Sequence, residues 1–281
     1  MLKDGKANPA PGIVFTDLDG TLLDHSTYEC GPAHSALAAL AAREIPVVFT
    51  SSKTRAEIIS VQDRLFVSGP FIPENGGAVF LREWDDLNEL FPDRMDGLPV
   101  KRFGAPYAVL RTTLAELRAT LRLQLTGFGD VEVDEVAVWT GLPRDQAVLA
   151  RQRDFDEPFV WRPEPDAATL ASVRSWLAQR GLRVTRGGRF WHLTGDNDKG
   201  AASSWLLKAV TRRWGARPVS LALGDSENDI SLLSIVDEGI LVERPAGGHL
   251  SPRPASLGTV SGVGPEGWSR AVLDWLARLQ G

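Results

Sequence analysis

The sequence predicts an α/β protein: a parallel sheet with helices on both faces, interrupted by a smaller inserted α+β domain. Three observations carry this. Strand-like apolar runs alternate with helical patterns near both ends of the chain. Between them the style changes to helices, charged extended pieces and a Gly-Gly hairpin. Acidic and hydroxyl residues also gather where the apolar runs stop, and active sites of parallel sheets lie beyond the carboxyl ends of the strands.

In chain order, "GIVFTD" reads as a buried strand and "PAHSALAALAARE" as a helix opened by Pro32. "IPVVFTS" is a second strand, followed by the helix "TRAEIISVQDRLF" with Thr54 as its N-cap. "PFIPENGG" and "AVFLREW" are short extended pieces around a glycine pair. The middle offers the helix "PYAVLRTTLAELRATLRLQL", charged extended segments, "FDEPFVW", the helix "DAATLASVRSWLAQRG" and the hairpin "LRVTR"/"RFWHLTG". The first style then returns with helix "DKGAASSWLLKAVTRRWG", strand "PVSLALGD", helix "ENDISLLSIV", strand "GILVE" and a final helix, "EGWSRAVLDWLARL". Residues 1–96 and 194–281 are therefore expected to form the core, and 97–193 the insert.

Composition narrows the function. The chain has 281 residues, 43% of them hydrophobic, enough for a sizeable core. A net charge of -5 without a dense Lys/Arg block argues against a nucleic-acid or membrane-surface partner. One cysteine, Cys30, leaves no intramolecular disulfide and no multi-cysteine zinc site. The polar, proline-broken start and the lack of long apolar runs make a cytoplasmic protein the expectation.

The chemistry gathers at "IVFTDLDGTLLD". Asp17, Asp19 and Asp24 crowd the end of a buried strand, where carboxylates require a cation, a reaction or open solvent. "VVFTSSKT" places Thr50 and Ser51 at the next strand end, "DNDKG" opens a later helix with Lys199, and "LALGDSENDI" ends a strand at Asp225 with Asn228 and Asp229 beyond. These four motifs, in this order, resemble those of the haloacid dehalogenase-like (HAD) phosphatase superfamily. The resemblance implies a Rossmann-like parallel-sheet HAD core with an inserted α+β type-II (C2B-like) cap that chooses the substrate.

It also implies roles. Asp17 is the nucleophile that forms an aspartyl-phosphate, and Asp19 the general acid and then base. Ser51 and Lys199 hold the phosphoryl group. Mg²⁺ is the cofactor, a hard cation taking oxygen from Asp17, the Asp19 backbone carbonyl and Asp225, with Asp229 and Asn228 in support. Asp24 is left as a turn residue. All five core residues are present, which disfavours a binding module without activity.

"SSKTRAEI", "PENGGAVF", "ARQRDFDEPF", "FWHLTGDNDKG" and "GPEGW" narrow the resemblance to mannosyl-3-phosphoglycerate phosphatases. The implied substrate is a small phosphorylated sugar-glycerate, with glucosyl-3-phosphoglycerate a close rival. Arg151 or Arg153, two apart on a possible strand, would then hold the glycerate carboxylate, with Arg151 preferred. Glu157 would accept from sugar hydroxyls, His192 would touch the substrate, Lys53 would meet the phosphoglycerate moiety, and Asn75, Gly76 and Gly77 would bring backbone amides to the ligand. Trp139, Trp161 and Trp191 fall in the insert, where core packing is the expected role.

Overall fold

The computed structural model describes residues 12–187 and 189–279. A nine-stranded sheet runs in the order β13-β12-β11-β1-β2-β3-β4-β6-β5. Its centre is parallel: β1 (Gly12–Thr16) lies between β11 (Val219–Gly224) and β2 (Val47–Thr50). β12 (Glu238–Glu243) and β3 (Phe71–Ile72) extend it in parallel on either side. Every residue of β1 and β2 is buried, as continuous apolar runs require of strands covered on both faces. One face packs on α1 (His34–Ala41), α2 (Arg55–Leu65) and α9 (Pro265–Arg278), the other on α7 (Lys199–Trp214) and α8 (Ile230–Leu233).

The second sheet is antiparallel, in the order β7-β8-β10-β9, from β7 (Leu125–Gly127), β8 (Asp156–Trp161), β9 (Leu182–Arg186) and β10 (Trp191–Gly195). Helices α3 (Tyr107–Leu121) and α6 (Ala167–Ala178) bury Leu110, Leu114, Val173 and Leu177 against Phe159, Trp161, Trp191 and Leu193 on one face of it. Trp161 and Trp191 meet edge to face at 5.4 Å inside that core, and Trp139 packs beside Phe128 in a separate small cluster.

Several expectations need correction. The charged segments read as extended contain two short helices, α4 (Val133–Thr140) and α5 (Arg144–Ala150). Arg151 and Arg153 therefore follow a helix and do not share a strand. The insert was placed at 97–193, yet β6 (Leu98–Arg102) pairs with β4 (Ala78–Phe80) and β5 (Asp93–Met95) in the large sheet. The second sheet also runs on to Gly195. The edge strand β13 (Gly258–Val263) had no counterpart in the sequence reading. In the Gly-Gly hairpin, Gly187 N–H donates to Phe190 O, while Gly188 lies outside the described residues, as do 1–11. No described helix is long and apolar enough to cross a membrane.

Candidate active site

Three adjacent parallel strands deliver the core groups. Register sets Thr16 of β1 opposite Leu223 of β11 and Phe49 of β2, so Asp17, Ser51 and Asp225 all follow strand ends on one edge. Asp17 N–H donates to Leu223 O, which holds the first residue past β1 in line with β11. Lys199 enters from α7, whose N-cap Asp198 accepts from Ala201 N–H. Its ammonium is buried 2.6 Å from Asp17 Oδ1 and 2.6 Å from Asp229 Oδ1. Burial alone would lower the lysine, but the two carboxylates hold it firmly protonated.

Asp229 is fully committed. Its second oxygen accepts from the N–H groups of Asp225 and Ser226 and from the Ser226 hydroxyl. Asp17, Asp225 and Asp229 each bring an oxygen within 4.8 Å of the others, a cluster able to hold a divalent metal. The free donors are on Asp17 and Asp225, since Lys199 and the backbone occupy Asp229. Burial lifts the Asp225 carboxyl to about 6, with Asp229 adding to the rise. Asp17 is raised chiefly by burial, against the pull of Lys199. Asp19 Oδ1 is buried without a partner, while its Oδ2 lies 3.0 Å from Lys53 Nζ. These oxygen donors suit a hard cation.

The turn after β3 joins this edge to the smaller sheet. Glu74 N–H donates to Lys53 O and Asn75 N–H to Ser51 O. Asn75 Oδ1 accepts from Asn228 Nδ2 at 2.9 Å. Glu74, wholly buried, accepts from the N–H groups of Asp154 and Phe155, and burial raises its carboxyl to about 8. Arg153 donates to Ser52 O and Ala150 O. Next to it, a cavity of about 370 Å³ is lined by Tyr107, Arg111, Gly129, Val133, Val148, Arg151 and Gln152.

Residues 14–97 match the family model described as haloacid dehalogenase-like hydrolase. Over 276 residues, 95% of this chain and 97% of the relative, the sequence is 40% identical to the glucosyl-3-phosphoglycerate/mannosyl-3-phosphoglycerate phosphatase of Methanococcoides burtonii. The chain belongs to that phosphatase family. It is therefore a phosphoric monoester hydrolase. A phosphatase of the same name from Persephonella marina is 34% identical, over 92% of this chain and 95% of its own. Among solved structures, a haloacid dehalogenase-like hydrolase of Bacteroides thetaiotaomicron aligns with a TM-score of 0.65 at 18% identity, covering 94% of this chain and 99% of that one. The sucrose-phosphatase of Synechocystis aligns at 0.59 and 13%, covering 96% and 98%. Those two similarities speak to the fold.

The fold of this phosphatase brings Asp17, Asp19, Ser51, Lys199 and Asp225 to one sheet edge, with Lys53 against Asp19. Asp24 stands apart in an exposed turn, where the N–H groups of Thr27 and Ser26 hold its carboxyl below the usual range. The residues expected to meet the substrate fall less simply. Gly76 and Gly77 donate their amides to Pro73 O, so those amides close the turn and none is left for a ligand. Gly76 is needed for close approach, because a Cβ there would lie 2.1 Å from Asp198 O. Glu157 is saturated by Tyr107, Arg111 and Gly129 N–H, so it orients Tyr107 and Arg111. His192 Nδ1 is 2.8 Å from Asp156 Oδ2. Arg151 lines the cavity, whereas Arg153 is a buried strut to Ser52. Tyr107, Arg111 and Glu74 were missed; their partners lie far along the chain and leave no local pattern.

Proposed function

We propose that this phosphatase hydrolyses mannosyl-3-phosphoglycerate to mannosylglycerate, a small organic solute, and phosphate, with Mg²⁺ and through an aspartyl-phosphate on Asp17. The carrying observation is the buried contact of Lys199 with Asp17, a cation set beside a carboxylate at the end of β1. Asp17 attacks phosphorus while the bond to the glycerate oxygen breaks, and Asp19 gives that oxygen a proton. Asp19 then takes a proton from the water that cleaves the acyl phosphate, restoring Asp17. Lys199 offsets the charge brought together by two anions. Ser51 Oγ accepts from Lys53 N–H, which leaves its own O–H to donate to a phosphoryl oxygen. Bound through Asp17, the Asp19 carbonyl and Asp225, Mg²⁺ would hold the carboxylates ionised and draw charge from the phosphoryl group.

Arg151, lining the cavity, supplies positive charge for the glycerate carboxylate, while Arg111 on the same wall is held by Glu157 and Asp130. Lys53 and the Asn75–Asn228 pair border the approach beside Asp19, and His192, held by Asp156, is assigned to the substrate from the smaller unit. The substrate is a small molecule, with neither nucleic acid nor membrane involved, and we assign the reaction to the cytoplasm. A glucosyl substrate is the second reading, because both relatives carry both sugars in their names. Measuring kcat/KM on both sugar-phosphoglycerates, with Asp17→Asn as control, tests the proposal. Turnover of a simple hexose phosphate alone, or an active Asp17→Asn, overturns it.

A further inference from the structure

We propose that Glu74 is a positioning residue for substrate recognition: its carboxyl group fixes residues 151–155 of the smaller unit against the Ser51–Lys53 turn. The residue is costly where it stands. Glu74, Asn75 and Gly76 have successive φ values of 49°, 54° and 92°, and a left-handed non-glycine residue costs about 1 kcal/mol or more. Glu74 is also wholly buried, so its carboxyl loses hydration that an asparagine or glycine in the same turn would not need. A residue that is doubly unfavourable for a turn is explained by what its side chain holds.

It holds backbone. The two oxygens accept successive N–H groups, Asp154 at 2.9 Å and Phe155 at 2.6 Å, where the chain enters β8. Glu74's own N–H is bonded to Lys53 O at 3.0 Å, so one residue ties the turn carrying Ser51 and Lys53 to the segment carrying Arg151 and Gln152. Neighbouring contacts reinforce the same junction: Thr54 Oγ1 to Leu149 O, Arg55 Nε to Asp154 Oδ2, and Arg153 Nη1 to Ser52 O. Those are made by side chains of the α2 start or of the segment itself. The Glu74 carboxyl group instead sets the path of the main chain. Releasing that path displaces Arg151 relative to the phosphoryl site, which harms binding of an extended substrate far more than that of a small ester.

The substrate part rests on the reading under Proposed function. The test compares wild type with Glu74→Gln, full length and with Mg²⁺, on mannosyl- and glucosyl-3-phosphoglycerate and on p-nitrophenyl phosphate. KM for the sugar substrate rises about tenfold with kcat within about threefold, and kcat/KM on the small ester stays within about threefold. Amide exchange at 154–155 quickens, while that of β1 and β11 does not. Equal loss on both esters, no change on either, or unchanged exchange at 154–155 overturns the proposal. Wild type that cleaves only the small ester refutes the substrate reading instead, and exchange still decides the role of Glu74. Should Glu74→Gln not fold, Glu74→Asp, shorter by about 1.5 Å, carries the same comparison.

Discussion

Trp268 donates its indole N–H to the hydroxyl of Thr16 at 2.9 Å, joining groups 252 residues apart. Thr16 in turn donates to Asp17 O, so helix α9 is linked through one hydroxyl to the backbone of Asp17. Both residues are fully buried. Trp268→Phe removes the donor and leaves the hydroxyl's acceptor side empty. The expected loss is about 1–2 kcal/mol, read as a lower urea midpoint at unchanged slope. A midpoint equal to wild type would mean that the bond adds nothing net.

Lys199 stands between two buried carboxylates, and its removal leaves both without a cation. Lys199→Met should lower stability by about 3–5 kcal/mol and phosphate release by about 1,000-fold or more. Calorimetry and a phosphate assay check the two effects separately. Full activity with a lowered melting temperature would remove Lys199 from the chemistry.

Asp225 has its carboxyl raised to about 6, above the unfolded value near 3.9, so the folded state holds the extra proton. Stability from this group is complete below about pH 4 and is lost as pH rises through about 6 in metal-free protein. A divalent cation binds the ionised form, so its effect has the opposite slope. Adding MgCl₂ should raise the melting temperature more at about pH 8 than at about pH 5. An equal shift at both would separate metal binding from Asp225.

Gly76 and Gly97 both have positive φ, 92° and 82°, but only Gly76 faces a backbone. Gly97→Ala meets nothing within 4 Å and should cost about 1 kcal/mol from its conformation alone. Gly76→Ala collides with Asp198, the residue that opens α7 before Lys199, and should cost several-fold more and reduce activity. Denaturation midpoints and kcat of the two variants decide it.

The legible parts of the chain were those whose signals are local. Asp17, Ser51 and Asp225 announced themselves because buried parallel strands are unbroken apolar runs with abrupt ends. Thr54 and Glu57 form the capping box at the start of α2, a pattern four residues long. α4 and α5 span only eight and seven residues, too short for a clear helical period among their charges. β13 was hidden by a Gly/Ser/Thr-rich composition at the sheet edge, behind a proline-rich stretch. At the junction the failure was of another kind. "PENGG" reads as a turn and is one, yet Glu74 binds amides 80 and 81 residues downstream. Glu157 likewise looked free for a ligand until Tyr107 and Arg111 were found on it.

Phe155 belongs to the segment that leads into the smaller sheet, but its ring is buried with the core of the large one. It fits because Gly77 and Gly104 carry no side chain there; a Cβ would come within 2.5 Å and 2.9 Å of it. The segment entering the smaller sheet thus plugs the core of the large one, and neither unit is a detachable module. Any graft of the smaller unit onto another core must therefore carry Phe155 together with a side-chain-free position at both 77 and 104, or the two surfaces will not close.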